Sequence, residues 1–184
     1  MKTPKRQISF LEKKEVEKII NTIPTKGLRN LRDRALIEVL FSTGLRISEA
    51  LALSEEPFIQ NANKTLELSI TGKGGWQRTI YFSPRSLAAV GAYLAVRKDT
   101  GTELFPVGVR ATQLMIKRRA RAAGIEKRVS PHTMRHSFAV HLLQKGASVF
   151  YVQQFLGHRN LATTSIYLHS TNAELKELHK KYMK

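Results

Sequence analysis

Cysteine is absent from the chain, which excludes disulfides, thiolate nucleophiles and thiolate metal sites. Acidic residues are scarce: 14 Asp and Glu stand against 31 Lys and Arg, a formal net charge of +17. Those few acids never fall in a D-x-D or E-x-x-H arrangement, so the clustered carboxylates of metal-dependent phosphodiester chemistry are missing. No apolar run approaches the length of a membrane span, and no basic helix is appended at an end. The segment from Met1 to Gln7 is basic but lacks the apolar stretch of a secretory signal. These absences make an intracellular protein, not bound to a membrane, the expectation.

What is present suits one globular domain spanning 1–184. Apolar residues make up 42% of the 184 and aromatics 8%, enough for a packed core. A cationic excess this large attracts polyanions, by long-range steering and by counterion release from a phosphate backbone. Nucleic acid is the leading partner class, and an anionic membrane surface the second.

Periodicity divides the chain. Ser9 and Glu12 form a capping-box pattern, and Leu11, Val16, Ile19, Ile20 and Ile23 recur at helical spacing until Pro24 and Gly27. A second helix is expected from about Asn30 to Phe41, with Gly44 as its stop, and a short third from Ile47 to Leu53. The period then changes: Thr65 to Ile70 alternates polar and apolar, and Arg78 to Phe82 is rich in β-formers. The glycine-rich turn Thr71 to Gly75 between them makes this a β-hairpin. Ser83-Pro84 opens a helix reaching about Lys98, and Phe105-Pro106 falls in a loop. Thr112 to Ala123 reads as a strongly basic helix. Ser130-Pro131 opens a helix closed by Gly146, Ser148 opens another closed by Gly157, and Thr171 with Glu174 caps a charged terminal helix. The expected fold class is mainly α with a small antiparallel β-sheet.

Without cysteine or clustered acids, the open route to a phosphodiester is a nucleophilic hydroxyl among cationic donors. Gly44 permits a sharp turn that sets Arg46 at a helix N-terminus, where an anion is favoured, with Glu49 able to hold the guanidinium from behind. An exposed arginine in an ordinary i,i+3 ion pair has the same pattern. Lys73, in its glycine turn, is either a point charge able to give up a proton or a solvated turn residue. His132 and Arg135, in the first turns of one helix, form either a phosphate clamp with a proton acceptor or a half-buried histidine beside an arginine. His136 and His141 share that helix with Phe138, Val140, Leu142 and Leu143, and read as structural. His158 follows Gly157 and either projects into a cleft or meets the helix dipole. Tyr151 lies in an apolar run, Tyr81 and Tyr93 read as packing residues, and Tyr182 is near the terminus. Tyr167, after the polar stretch Arg159 to Ser165, is the tyrosine best placed to reach a substrate. Lys117, Arg118, Arg119 and Arg121, with Lys127 and Arg128 beyond them, are candidates for DNA-backbone contacts, or else a solvated charged face.

In this order, Arg46, Lys73, His132-x-x-Arg135, Leu156-Gly157-His158 and Tyr167 resemble the active site of the tyrosine recombinase (phage integrase) family, especially its Xer-like members. The likeness extends through Thr43-Gly44-Leu45-Arg46-x-Ser48-Glu49, Gly72-Lys73-Gly74 and Thr163-Thr164-x-x-Tyr167-x-His169, from about Phe10 to the last helix. It implies the catalytic-domain fold of that family, and a double-stranded DNA substrate cut and rejoined through a 3′-phosphotyrosyl link to Tyr167. Arg46, Arg135 and His158 would then bind the phosphate oxygens, Lys73 would protonate the leaving 5′-oxygen, and His132 would assist proton transfer. Neither metal nor nucleotide cofactor is implied. A homotetramer on paired sites is implied, with 171–184 as the segment exchanged between subunits, in the cytoplasm and associated with the nucleoid.

The resemblance is incomplete. The family's usual N-terminal core-binding domain is expected to be absent, making the chain an excised domain or a minimal enzyme. Trp76-Gln77 stands where a more basic stretch is common. Type IB topoisomerase activity uses similar tyrosine chemistry and stays open. So does a non-catalytic DNA-binding regulator, because Ser148 to Leu168 also reads as a helix-turn-helix.

Overall fold

The computed structural model describes residues 9–60, 67–72, 75, 77–99 and 101–157. Eight helices and two strands occur among them, in the order α1 (Lys13–Asn21), α2 (Leu28–Thr43), α3 (Ile47–Leu51), α4 (Glu56–Gln60), β1 (Glu67–Thr71), β2 (Gln77–Tyr81), α5 (Pro84–Leu94), α6 (Val109–Ala122), α7 (Pro131–Gln144) and α8 (Val149–Leu156). The expected class, mainly α with a small antiparallel sheet, is the one found. The strands pair antiparallel, with Ser69 opposite Thr79 and Ile70 opposite Arg78.

α2 is the axis of the fold. Leu36, Ile37, Val39 and Leu40 are wholly buried, so apolar side chains point from it in nearly every direction. α5 and α7 pack on it most extensively, and α1 and β2 close other sides. Two acids are buried on this helix, and both are paired. Arg85 donates to Glu38 at 2.6 Å, and Arg32 donates to Asp33 at 2.8 Å. Unpaired, either carboxylate would carry a large desolvation cost. A smaller apolar cluster of Ala139, Val152 and Leu156 joins α7 to α8.

Several boundaries differ from expectation. α1 starts at Lys13, because Glu12 N–H donates to the Glu15 carboxylate at 2.8 Å and sets the cap three residues after Ser9. α4 was not anticipated; it is one short turn and more, anchored by buried Phe58, whose ring meets Phe82 edge-on at 5.0 Å. α5 stops at Leu94 instead of near Lys98. Arg97 there turns inward, its side chain 3% exposed, to bond Glu55 at 2.8 Å, the Glu103 carbonyl at 2.7 Å and Asp99. A helix carried through Arg97 would forgo those bonds. α6 begins one turn early, at Val109 after Gly108. α7 opens as its Ser-Pro start implies: Ser130 Oγ accepts from Thr133 N–H and Thr133 Oγ1 accepts from Ser130 N–H, both at 3.2 Å.

Gly44 caps α2 in the left-handed region at φ +64°, and a Cβ there would lie 2.3 Å from the Phe138 ring. Gly146 is also left-handed, at φ +88°, but nothing lies within 4 Å of its Cβ position. Gly44→Ala therefore adds a steric clash to the backbone penalty. It should cost about 2–4 kcal/mol against about 1–2 kcal/mol for Gly146→Ala, measured by urea unfolding. Equal losses at the two positions would contradict the packing described for Phe138.

Candidate active site

Four segments meet where α2 ends. The turn after Gly44 brings Arg46 to the N-cap position of α3, which places Glu49 one turn along. Glu49 Oε2 accepts from the Arg46 backbone N–H at 2.8 Å, and Oε1 accepts from the Arg46 guanidinium at 3.0 Å. From β2, Arg78 grips the same carboxylate with both terminal nitrogens, at 3.1 and 2.7 Å. From α7, Arg135 Nη1 approaches it to 4.0 Å. One acid thus gathers three arginines.

Arg135 is held further by backbone. Its Nη1 donates to the Gly44 carbonyl at 2.7 Å and its Nη2 to the Leu156 carbonyl at 2.6 Å. Those carbonyls lie at the C-terminal ends of α2 and α8, where helix dipoles present partial negative charge to a cation. Arg78 Nε adds a bond to the neighbouring Phe155 carbonyl at 3.1 Å. The end of α8 is therefore tied to both arginines.

Burial separates their roles. The Arg135 and Arg78 side chains are 4% and 9% exposed, whereas that of Arg46 is 39% exposed. Arg46 is the arginine most open to an incoming anion. His132, the second residue of α7, is exposed one turn before Arg135. Glu49 itself is largely buried, and burial pushes its carboxyl pKa up. The hydrogen bonds and charge of Arg78, with the backbone and side-chain hydrogen bonds of Arg46, outweigh that and bring it from 4.5 down to about 2.

Of the residues named from sequence, Arg46, Glu49 and Arg135 converge here, with His132 close by along α7. Lys73, His158 and Tyr167 lie outside the described residues. Arg78 was missed by sequence reasoning. Its signal was the period of two along β2, which sets Arg78 on the same side as buried Ile80 and so calls for a carboxylate partner. Of the two histidines read as structural, His136 is buried against Phe10, and His141 is partly buried with its Nε2 3.1 Å from the Leu11 carbonyl. Tyr93 is buried, as its packing role implied; Tyr81 is half exposed and meets the Phe155 ring edge-on. Tyr151 is exposed despite the apolar run around it.

The basic candidates on and after α6 divide by what they touch. Arg119 is engaged internally, donating to the Thr22 carbonyl at 3.3 Å and to Asn30 at 3.0 Å. Lys127 bonds Glu15 at 2.7 Å and the Phe10 carbonyl at 3.2 Å. Lys117, Arg118, Arg121 and Arg128 are exposed. Among the described residues, no three His, Asp or Glu side chains group as a metal site, and no helix is long and apolar enough to cross a membrane.

The profile described as "Phage integrase family" matches residues 9–174. The tyrosine recombinase XerD of Corynebacterium glutamicum is 40% identical over 179 residues, a match covering 89% of this chain and 58% of that protein. The chain thus spans little more than half of that relative. Among solved structures, the XerA recombinase superposes with a TM-score of 0.79 at 28% identity, covering all of this chain and 67% of that one. The XerH site-specific recombinase bound to palindromic difH substrate, a post-cleavage complex, gives 0.78 at 28% identity, covering 96% and 54%.

The lowered Glu49 pKa sets a pH dependence. The carboxylate is stabilised in the folded state, so its contribution is complete above about 4.5 and is lost as pH falls toward about 2. Glu49→Gln should cost on the order of 3 kcal/mol near neutrality, by leaving buried arginines without their counter-charge. Denaturant unfolding of both proteins across that range should show the gap narrowing as pH falls. A gap that stays constant from neutrality to the acid limit would show that the ionised carboxylate is not what stabilises this corner.

Proposed function

Because the chain belongs to the phage integrase family of tyrosine recombinases, we propose that it cuts and rejoins double-stranded DNA at specific sites through a phosphotyrosyl intermediate. The observation that carries this reading is the convergence of Arg46 and Arg135, remote in sequence, on the Glu49 carboxylate, at 3.0 and 4.0 Å, with Arg135 also held by the Gly44 carbonyl. Guanidinium forks fixed in this way are ready-made ligands for a phosphate whose charge grows during displacement.

In the proposed reaction the Tyr167 hydroxyl attacks the scissile phosphorus and forms a 3′-phosphotyrosyl bond. The bond to the 5′-oxygen breaks, and Lys73 supplies the proton that makes it a hydroxyl. His132 assists removal of the phenolic proton, which a free tyrosine holds up to a pKa of about 10. Arg46, Arg135 and His158 bind the nonbridging oxygens. Attack by an incoming 5′-hydroxyl reverses the sequence and frees Tyr167. One phosphoester replaces another at each step, so no nucleotide cofactor is required, and the reading assigns no role to a metal. Glu49 touches no reacting atom; it positions Arg46 and Arg135.

The relative caught on a recombination substrate after cleavage supports a DNA partner. The assembly in this reading is a homotetramer on two paired sites, with the segment from Thr171 onward packing on a neighbouring subunit. The exposed cations Lys117, Arg118, Arg121 and Arg128 contact the DNA backbone. Arg119 and Lys127 brace the surface from which the others project.

Nicked suicide duplexes drawn from a library of candidate sites, read on denaturing gels, test the chemistry. Wild type should leave a covalent adduct on the 3′ side of the break, and Tyr167→Phe none. Arg46→Ala should lower the rate of adduct formation on the order of 100-fold, the loss typical of one transition-state donor. Adducts from Tyr167→Phe at wild-type yield would remove that tyrosine from the mechanism.

A further inference from the structure

Arg78 lies where three segments of the proposed reaction meet, although that reaction gives it no part. Its own strand, β2, is half of the hairpin whose turn carries Lys73. Its terminal nitrogens hold Glu49 at 3.1 and 2.7 Å, and Glu49 in turn holds the Arg46 guanidinium. Its Nε donates to the Phe155 carbonyl at 3.1 Å, just before the Gly157-His158 step of the chain.

The hairpin needs such an anchor. Among the described residues its sheet has two strands, and an isolated two-stranded hairpin is at best marginally stable in water. β1 has no buried residue, and on β2 only Ile80 is buried. Ile80 pairs with Leu68, toward the end away from the turn. At the turn end the ladder closes with Thr71 opposite Gln77, the neighbour of Arg78. Arg78, its side chain 9% exposed, is therefore the described tether closest to the turn.

Both sides of that tether are fixed. Glu49 Oε2 also accepts from the Arg46 backbone N–H at 2.8 Å. On the other side the guanidinium lies against the end of α8: a Cβ on Gly157 would stand 3.0 Å from Arg78 Cδ and 3.1 Å from Nη1. The adjacent carbonyls of Phe155 and Leu156 accept from Arg78 and Arg135 respectively, so the two arginines share one stretch of backbone. A guanidinium fork on a carboxylate sets angle as well as distance, which the point charge of a lysine does not.

We propose that Arg78 is a positioning residue for proton delivery: it holds the hairpin so that Lys73 reaches the 5′-oxygen of a phosphate bound by Arg46 and Arg135. The inference rests on the cleavage reading proposed above and deepens it. A general acid contributes only within hydrogen-bond reach of the atom that it protonates. Without Arg78, Arg135 keeps its bonds to the Gly44 and Leu156 carbonyls and Arg46 keeps its bond to Glu49. The loss then falls on the proton step more than on the phosphate donors.

Nicked suicide duplexes with oxygen or sulfur at the scissile 5′ position separate this from a structural role. In both, the Tyr167 oxygen bonds to phosphorus and the bond from phosphorus to the 5′ atom breaks. The departing oxygen needs a proton; a thiolate, whose conjugate acid has a pKa of about 8.5, leaves without one. Single-turnover adduct formation at saturating DNA is measured for the full chain as wild type, Arg78→Gln, Arg78→Lys and Lys73→Ala. On oxygen, Arg78→Gln and Lys73→Ala should each be slowed on the order of 100-fold. On sulfur, both should regain most of the wild-type rate. Arg78→Lys keeps a charge beside Glu49 without the fork, guards against simple unfolding, and should show the same rescue. The ratio of the two rates within one preparation does not depend on its folded fraction. Equal slowing of the Arg78 variants on both substrates, with Lys73→Ala rescued by sulfur, would overturn the proposal and leave Arg78 a structural residue. Lys73→Ala slowed alike on both would remove Lys73 as the acid and the role of Arg78 with it. No adduct from the wild type on either substrate would overturn the cleavage reading itself.

Discussion

A carboxylate in a low-dielectric corner stays ionised only if cations surround it, and guanidiniums crowded together stay put only if an anion lies among them. Glu49 and its arginines satisfy both conditions at once. Its two oxygens accept from the Arg46 backbone, the Arg46 side chain and both terminal nitrogens of Arg78, and Arg135 stands within 4.0 Å. The chain carries a net charge of +17, so unguided repulsion would spread these arginines into solvent. The acid reverses that tendency at one place. Because its partners come from α3, β2 and α7, the hairpin and the helices are held in register by the interaction that gathers these arginines.

Backbone carbonyls do the remaining positioning. Two helices end with a left-handed glycine, Gly44 and Gly157, and the carbonyls at those ends converge on Arg135. The arrangement spends helix C-termini, which carry partial negative charge, on fixing a cation rather than on binding substrate. The cost of orienting Arg135 is met during folding; under the proposed function, that leaves little reorganisation when a phosphate binds, the condition under which fixed donors accelerate displacement most. Arg46, more exposed and tethered to Glu49, is the arginine that the proposed function leaves to meet the phosphate directly.

Much of this was legible in the chain, and the reasons are local. Glycine stops, Ser-Pro starts and apolar periodicity mark most helices within a turn, because caps and amphipathic faces are short-range properties. Arg46 and Glu49 could be paired on sight, being one helical turn apart, and Arg135 stood out beside His132. What was not legible depends on contacts between distant segments. Arg78 looked like one polar residue among β-formers, and its partner is known only once β2 is laid against α3 and α8. The early end of α5 has the same cause, since Arg97 leaves the helix for acids and carbonyls that the fold brings near. Arg119 and Lys127 looked like the rest of a basic stretch, although the fold gives them internal partners. Lys73, His158 and Tyr167, which complete the resemblance, rest on sequence alone.

The central claim is that one ionised carboxylate couples the arginines into a unit, and a double-mutant cycle between Glu49 and Arg78 tests it most directly. Unfolding free energies of wild type, Glu49→Gln, Arg78→Gln and the double variant, taken near neutral pH, isolate the pair's interaction. The account predicts strong non-additivity, a coupling of about 1–3 kcal/mol, because either single change already breaks the network. Losses that add to within about 0.5 kcal/mol would mean that the two side chains act independently, and that the carboxylate does not organise the site.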